Sequence, residues 1–203
     1  MNINFRNELI TILINDGSLK FGRDFIGKSG KTYACETDLR YSFRTFGHAK
    51  SVCKLIYRLI TEIHDLPEFD SFLGIPETGT IIANFLNEYK YTSQKKDFSF
   101  NCLRVSPKEY QVKTKSNLTV LPADFSRKCL IVEDDVVTGN TLVQYTQAAI
   151  DSGINICGAL SIFYRPNSLT NSVDLRDFYK DKFGISLYNI LIIDAKFIEL
   201  KGE

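Results

Sequence analysis

The sequence predicts an α/β fold: a mainly parallel central sheet flanked by helices, behind a small N-terminal segment of short strands and turns. Three observations predict it. Short apolar runs alternate with helix-period stretches between residues 69 and 195. Glycine or proline punctuates several of the joins, as at Gly74–Pro76 and Gly153. A block of carboxylates stands at the end of one apolar run, and sheets of this class bind ligands at the carboxyl ends of their strands.

The elements follow in order. Ile3, Leu9, Ile10, Leu13 and Ile14 recur at roughly helical spacing, with Gly17 as a stop. Residues 18–47 are rich in glycine and aromatics without a clean period, which predicts short strands and turns. Val52, Leu55, Ile56, Leu59, Ile60 and Ile63 keep the helix period and predict a helix over 48–65. "FDSFLGIP" reads as a strand entering a loop and "TGTIIANFLNEYK" as a helix. "FSFNCLRV" reads as a strand before a polar segment over 106–128. "KCLIVED" and "ICGALSIFYR" read as strands around the helix "TLVQYTQAAIDSG". "VDLRDFYKDKFG" and "YNILIIDA" close the pattern as a short helix and a late strand.

Composition narrows the class. The chain has 203 residues, enough for one domain over 1–203, and is 44% hydrophobic, enough for a sizeable core. A net charge of +1 supplies no global field toward nucleic acid or an anionic membrane, so neither is an expected partner. Five widely spaced cysteines without a C-x-x-C pair argue against disulfides or zinc and for a reducing compartment. Neither a cleavage motif nor an apolar run of about 18 residues is present, and the expectation is a cytoplasmic protein. His48 and His64 lack partners at metal-ligand spacing and are expected to be structural or exposed. Cys129 and Cys157 are expected to be core thiols.

"CLIVEDDVVTGNTL", residues 129–142, carries the chemistry. Consecutive acids repel, so Glu133, Asp134 and Asp135 are costly unless they hold a cation or accept hydrogen bonds from sugar hydroxyls. The loop that follows enters a helix, whose backbone N–H groups and positive end make an anion site with Thr138 and Thr141. Acids beside a phosphate cradle suggest a phosphorylated sugar.

This stretch resembles the phosphoribosyl-pyrophosphate (PRPP) signature of the type I phosphoribosyltransferases. The resemblance implies that family's fold, with residues 1–47 forming a hood. It implies ribose binding by Asp134 and Asp135, and 5′-phosphate binding by Val136, Val137, Thr138, Gly139, Asn140 and Thr141. Four further stretches resemble the orotate phosphoribosyltransferases. "LKFGRDFIGKSGKTYACETDLR" is similar to their N-terminal segment and implies that Lys28 contacts the base. "FLGIPETGTIIA" is similar to their pyrophosphate loop, here Gly74, Ile75, Pro76, Glu77, Thr78, Gly79 and Thr80. "LRVSPKEYQVKTKSN" resembles their catalytic lid, with Arg104 and Lys108 as catalytic cations alongside Asp135. Arg165 in "SIFYRPN" matches an arginine that contacts the carboxylate of orotate.

The resemblance further implies Mg²⁺ bound mainly through PRPP, with no metal ligand assigned on the protein, and a homodimer sharing its lids across the interface. Residues 95–128 hold eight basic residues against three acids, as expected of a lid that neutralises a pyrophosphate. Four positions depart from the family: Asn140 stands where a glycine is usual, Val105 where a lysine follows the arginine, Gln111 where a glycine follows the position of Tyr110, and Glu36 near the pyrimidine. Two alternatives follow from these departures, transfer to another base and PRPP binding without catalysis. The implied reaction is conversion of orotate and PRPP to orotidine 5′-phosphate and pyrophosphate.

Overall fold

In a computed structural model the described residues are 3–26, 32–95, 103–104, 127–166 and 174–201. Six helices and six strands form in the order α1 (Ile3–Asn15), β1 (Leu19–Ile26), β2 (Thr32–Thr37), α2 (Phe46–Ile60), β3 (Ser71–Gly74), α3 (Thr78–Gln94), β4 (Lys128–Val136), α4 (Asn140–Asp151), β5 (Asn155–Tyr164), α5 (Leu175–Phe183), β6 (Leu187–Ile192) and α6 (Ala195–Lys201). A short 3₁₀ turn, Leu39–Phe43, joins β2 to α2. The expected α/β architecture is present as a four-stranded sheet in the order β3-β4-β5-β6, parallel throughout. β1 and β2 form a separate antiparallel hairpin.

Apolar alternation explains the layers. On one face of the sheet Phe72, Leu130, Val132, Leu160 and Ile162 pack with α1, α2 and α3 through Leu13, Ile56, Leu59 and Leu86. On the other, Leu73, Ile131, Ala159 and Tyr164 pack with α4 and α5 through Leu142, Ala149, Leu175 and Tyr179. Strands buried on both faces read as unbroken apolar runs, which is why "CLIV" shows no period of two. Each fully buried side chain of the size of Phe72 or Phe163 contributes about 2–3 kcal/mol through removal from water.

Two local expectations need correction. The helix expected over 48–65 ends at Ile60, and Ile63 reaches the core from a turn. Cys157 is only half-buried, unlike Cys129, because the register of β4 and β5 shifts there. Cys129 pairs with Ile156 and Leu130 with Gly158, so Cys157 is the extra residue of a bulge. One helix, α6, has no counterpart in the sequence reading.

His48 has a structural task. Asp16, just past α1, accepts from the Ser18 backbone N–H (2.7 Å) and Ser42 Oγ (2.6 Å), with His48 Nε2 at 2.7 Å. These contacts lash the end of α1 to the start of β1, the 3₁₀ turn and α2. His64 is exposed.

Candidate active site

The register of the sheet creates the site. Val136 pairs with Tyr164, so the residues just before and just after that pair, Asp135 on β4 and Arg165 beyond β5, meet at the carboxyl ends of the strands. The Arg165 N–H donates to the Val136 carbonyl at 3.0 Å, fixing where its side chain departs. The Arg165 guanidinium then stands 3.5 Å from the Asp135 carboxylate.

β2 completes the arrangement. Its alternate residues Tyr33, Cys35 and Thr37 all contact Arg165. The Tyr33 ring centroid lies 5.0 Å from the guanidinium carbon. The Cys35 carbonyl accepts from Nη1 at 3.3 Å. The Thr37 hydroxyl accepts from Nη2 and donates to Asp135 Oδ2 at 2.5 Å. Tyr33, Cys35, Arg165, Pro166, Ile193 and Ile198 line a cavity of about 190 Å³. Sequence reasoning assigned no site role to Tyr33, Cys35 or Thr37. The period-two alternation of "TYACET" is the signal that puts them on one face.

The acidic block divides. Asp134 receives a hydrogen bond from the Thr78 side chain, which joins the acids to the start of α3. Burial pushes the Asp134 carboxyl above its ordinary range. Burial pushes Asp135 up to about 6, against the lowering influence of Arg165 and the Thr37 hydrogen bond. Asp135 Oδ1 is buried with no hydrogen-bond partner among the described residues. Glu133 is buried on the side of α4 and α5; burial and then its charge raise the Tyr145 and Tyr179 hydroxyls.

Residues 74–80 span the end of β3, a three-residue loop and the start of α3. A Cβ on Gly74 would fall 2.1 Å from the Gly79 carbonyl oxygen, and one on Gly79 would fall 2.6 Å from that of Val132. Both positions therefore need glycine to let backbone meet backbone. The Ile75 N–H donates to Val132 at 2.9 Å, and the Pro76–Glu77 peptide is cis. The loop and the positive end of the 17-residue helix α3 lie beside Asp134.

The loop after β4 differs in detail from expectation. Gly139, at φ 75°, occupies the left-handed position, and Asn140 is the first residue of α4. The turn therefore places no left-handed demand on Asn140. A Cβ on Gly139 would also fall 2.4 Å from Leu175 Cδ2.

Arg104 sits near α4, its carbonyl accepting from the Tyr145 hydroxyl at 3.2 Å, while Leu103 is buried against the α4 and α5 face. Lys28, Lys108 and Val105 lie outside the described residues, as does nearly all of the strand expected over 98–105 and the lid expected after it. Glu36 points away from Arg165 and pairs with Lys20 at 3.1 Å, both side chains roughly 40% exposed.

A parallel sheet with paired acids at one strand end, a glycine-backed loop at the next and a hairpin bonded to those acids defines a type I phosphoribosyltransferase. An orotate phosphoribosyltransferase of Pyrobaculum calidifontis is 32% identical over 149 residues, covering 73% of this chain and 70% of the relative. The chain belongs to the orotate phosphoribosyltransferase family. The orotate phosphoribosyltransferase of Pyrococcus horikoshii is 24% identical over 193 residues, 95% of this chain and 93% of that one. The solved orotate phosphoribosyltransferase of Francisella tularensis shares the fold at a TM-score of 0.71 and 15% identity, covering 95% of this chain and 94% of that one. No protein-family model matches the chain.

Proposed function

We infer that this chain transfers the phosphoribosyl group of PRPP to orotate, giving orotidine 5′-phosphate and pyrophosphate. The carrying observation is the buried pair Asp134–Asp135, bonded through Thr78 to the start of α3 and through Thr37 to Arg165. Three binding elements thus converge on one strand end, as a substrate with a ribose, two phosphate groups and a base requires.

The roles follow from charge. Asp134 and Asp135 accept the ribose hydroxyls, with Asp135 Oδ1 buried and awaiting a donor. Residues 136–141 take the 5′-phosphate at the α4 N-terminus, and residues 74–80 take the pyrophosphate at the α3 N-terminus. As the C1–pyrophosphate bond breaks, negative charge grows on the leaving group and positive charge on the ribose ring. Arg104 and Lys108 are the cations this reading assigns to stabilise the first. The acids beside the ribose stabilise the second. Arg165 and Lys28 orient the base, and Arg165 meets its carboxylate.

Mg²⁺ supplies charge neutralisation on the pyrophosphate when bound. Among the described residues no three His, Cys, Asp or Glu side chains cluster as a cage. In this reading the ion is carried mainly by PRPP. The homodimer with shared lids and a cytoplasmic location belong to the same reading; among the described residues no helix is long and apolar enough to cross a membrane.

The test is loss of orotate absorbance with purified protein, PRPP and Mg²⁺ against a PRPP-free control. PRPP-dependent turnover supports the reading. PRPP binding without turnover of orotate or any other base in a panel overturns it.

A further inference from the structure

We propose that Thr37 is a positioning residue whose hydroxyl bridges Arg165 and Asp135 and so fixes how both are presented to substrates. The proposal rests on the orotate-transfer reading given above.

Opposite charges in a buried setting close to direct contact, near 2.8 Å, and an arginine fork then covers both carboxylate oxygens. Here Arg165 Nη2 reaches Asp135 Oδ2 at 3.5 Å, the long limit of a hydrogen bond. The Thr37 hydroxyl bridges the same two atoms from the side, bonded to each. Its polarity is fixed: guanidinium only donates and an ionised carboxylate only accepts, so the hydroxyl accepts from Arg165 and donates to Asp135. The donated bond occupies Oδ2 and leaves Oδ1 buried without a partner among the described residues. Oδ1 is the atom a ribose hydroxyl would meet.

The rest of β2 supports the same task. The Tyr33 ring and the Cys35 carbonyl hold the guanidinium from two further directions. Among the described residues the carboxylates of Asp134 and Asp38 also act on Asp135, and both repel it. A hydroxyl on the hairpin thereby bridges the ribose-binding acid and the base-binding cation, two groups from different elements of the sheet.

The experiment compares wild type, Thr37→Val and Thr37→Ser by orotate turnover, calorimetric titration with PRPP and Mg²⁺, and thermal melting. Valine keeps the shape and removes the hydroxyl, so the bridge between Arg165 and Asp135 is lost. The expected result is a rise of about tenfold in both the PRPP Kd and the orotate KM, with kcat changing less, as for loss of one charge-assisted hydrogen bond. Serine restores both constants to within about threefold, and the valine protein melts within about 2 °C of wild type. Unchanged constants in Thr37→Val overturn the proposal. So does an equal loss in Thr37→Ser, or a fall in melting temperature that tracks the loss. If wild type does not turn over orotate, the reaction reading fails, and the PRPP Kd of the three proteins still decides the role of Thr37.

Discussion

Arg165 and Asp135, thirty positions apart in sequence, stand 3.5 Å apart at the ends of adjacent strands and share one threonine hydroxyl. In the proposed reading this contact joins the part of the site that takes the base to the part that takes the sugar. Disturbing either residue therefore has consequences for both substrates.

Asp135→Asn keeps the size of the side chain and removes its charge. The expected loss in kcat/KM is at least roughly 100-fold, since the amide no longer stabilises positive charge on the ribose ring. Steady-state kinetics with PRPP varied checks this; turnover like wild type removes Asp135 from the mechanism.

The pH profile should bend where this carboxylate titrates. Burial raises Asp135 from 3.8 to about 6, and the ionised form is the one that accepts ribose hydroxyls. Activity is thus complete above that value, and kcat/KM for PRPP falls about tenfold per pH unit below it. Stability runs the other way for this group. The folded chain takes up the proton more readily than the unfolded one, so its contribution to stability rises as pH falls from about 6 toward 3.8. A rate profile flat down to pH 5 refutes the assignment.

The pyrophosphate loop has no room for a side chain. Gly74→Ala forces a Cβ to 2.1 Å from the Gly79 carbonyl oxygen and 2.4 Å from the Thr80 Cα, all of it backbone. Overpacking of this kind costs about 1–3 kcal/mol or more, and here the strain falls on the phosphate-binding backbone. Calorimetry should find PRPP affinity lost before the fold is.

Asn140 tests the reading of the second loop. Gly139 already holds the left-handed turn, so Asn140→Gly gains nothing in PRPP binding. It places glycine in the first turn of α4 and should lower stability by up to about 1 kcal/mol. A marked gain in PRPP affinity would mean that Asn140, not Gly139, limits the cradle.

Glu36→Gln should leave the orotate KM within about twofold of wild type, because an exposed pair with Lys20 is worth about 0–1 kcal/mol and faces away from Arg165. A large fall in that KM would place the carboxylate against the base.

Legibility followed range. Helix α2 was plain because its signal, Val52 through Ile60, is a local period. So was β4, an apolar run ending in acids. Residues 195–201 were not, since seven residues give too few turns for a period to show. Asn140 stands where the family usually has glycine, yet both residue types tolerate a left-handed backbone, and it is Gly139 that adopts it. The bond from Thr37 to Asp135 spans 98 positions. Nothing local marks a strand threonine as different from any other, and only the docking of the hairpin reveals it.

The hairpin β1–β2 has its own hydrogen-bond ladder and shares none with the parallel sheet. In the proposed reading, sugar and phosphate recognition belong to the sheet and part of base recognition to the hairpin, whose Leu19 and Cys35 pack into the same core. Thr37 belongs to both units at once, since its hydroxyl is bonded to Asp135 and to Arg165. The chain is built as a handle and a bit that meet at one hydroxyl.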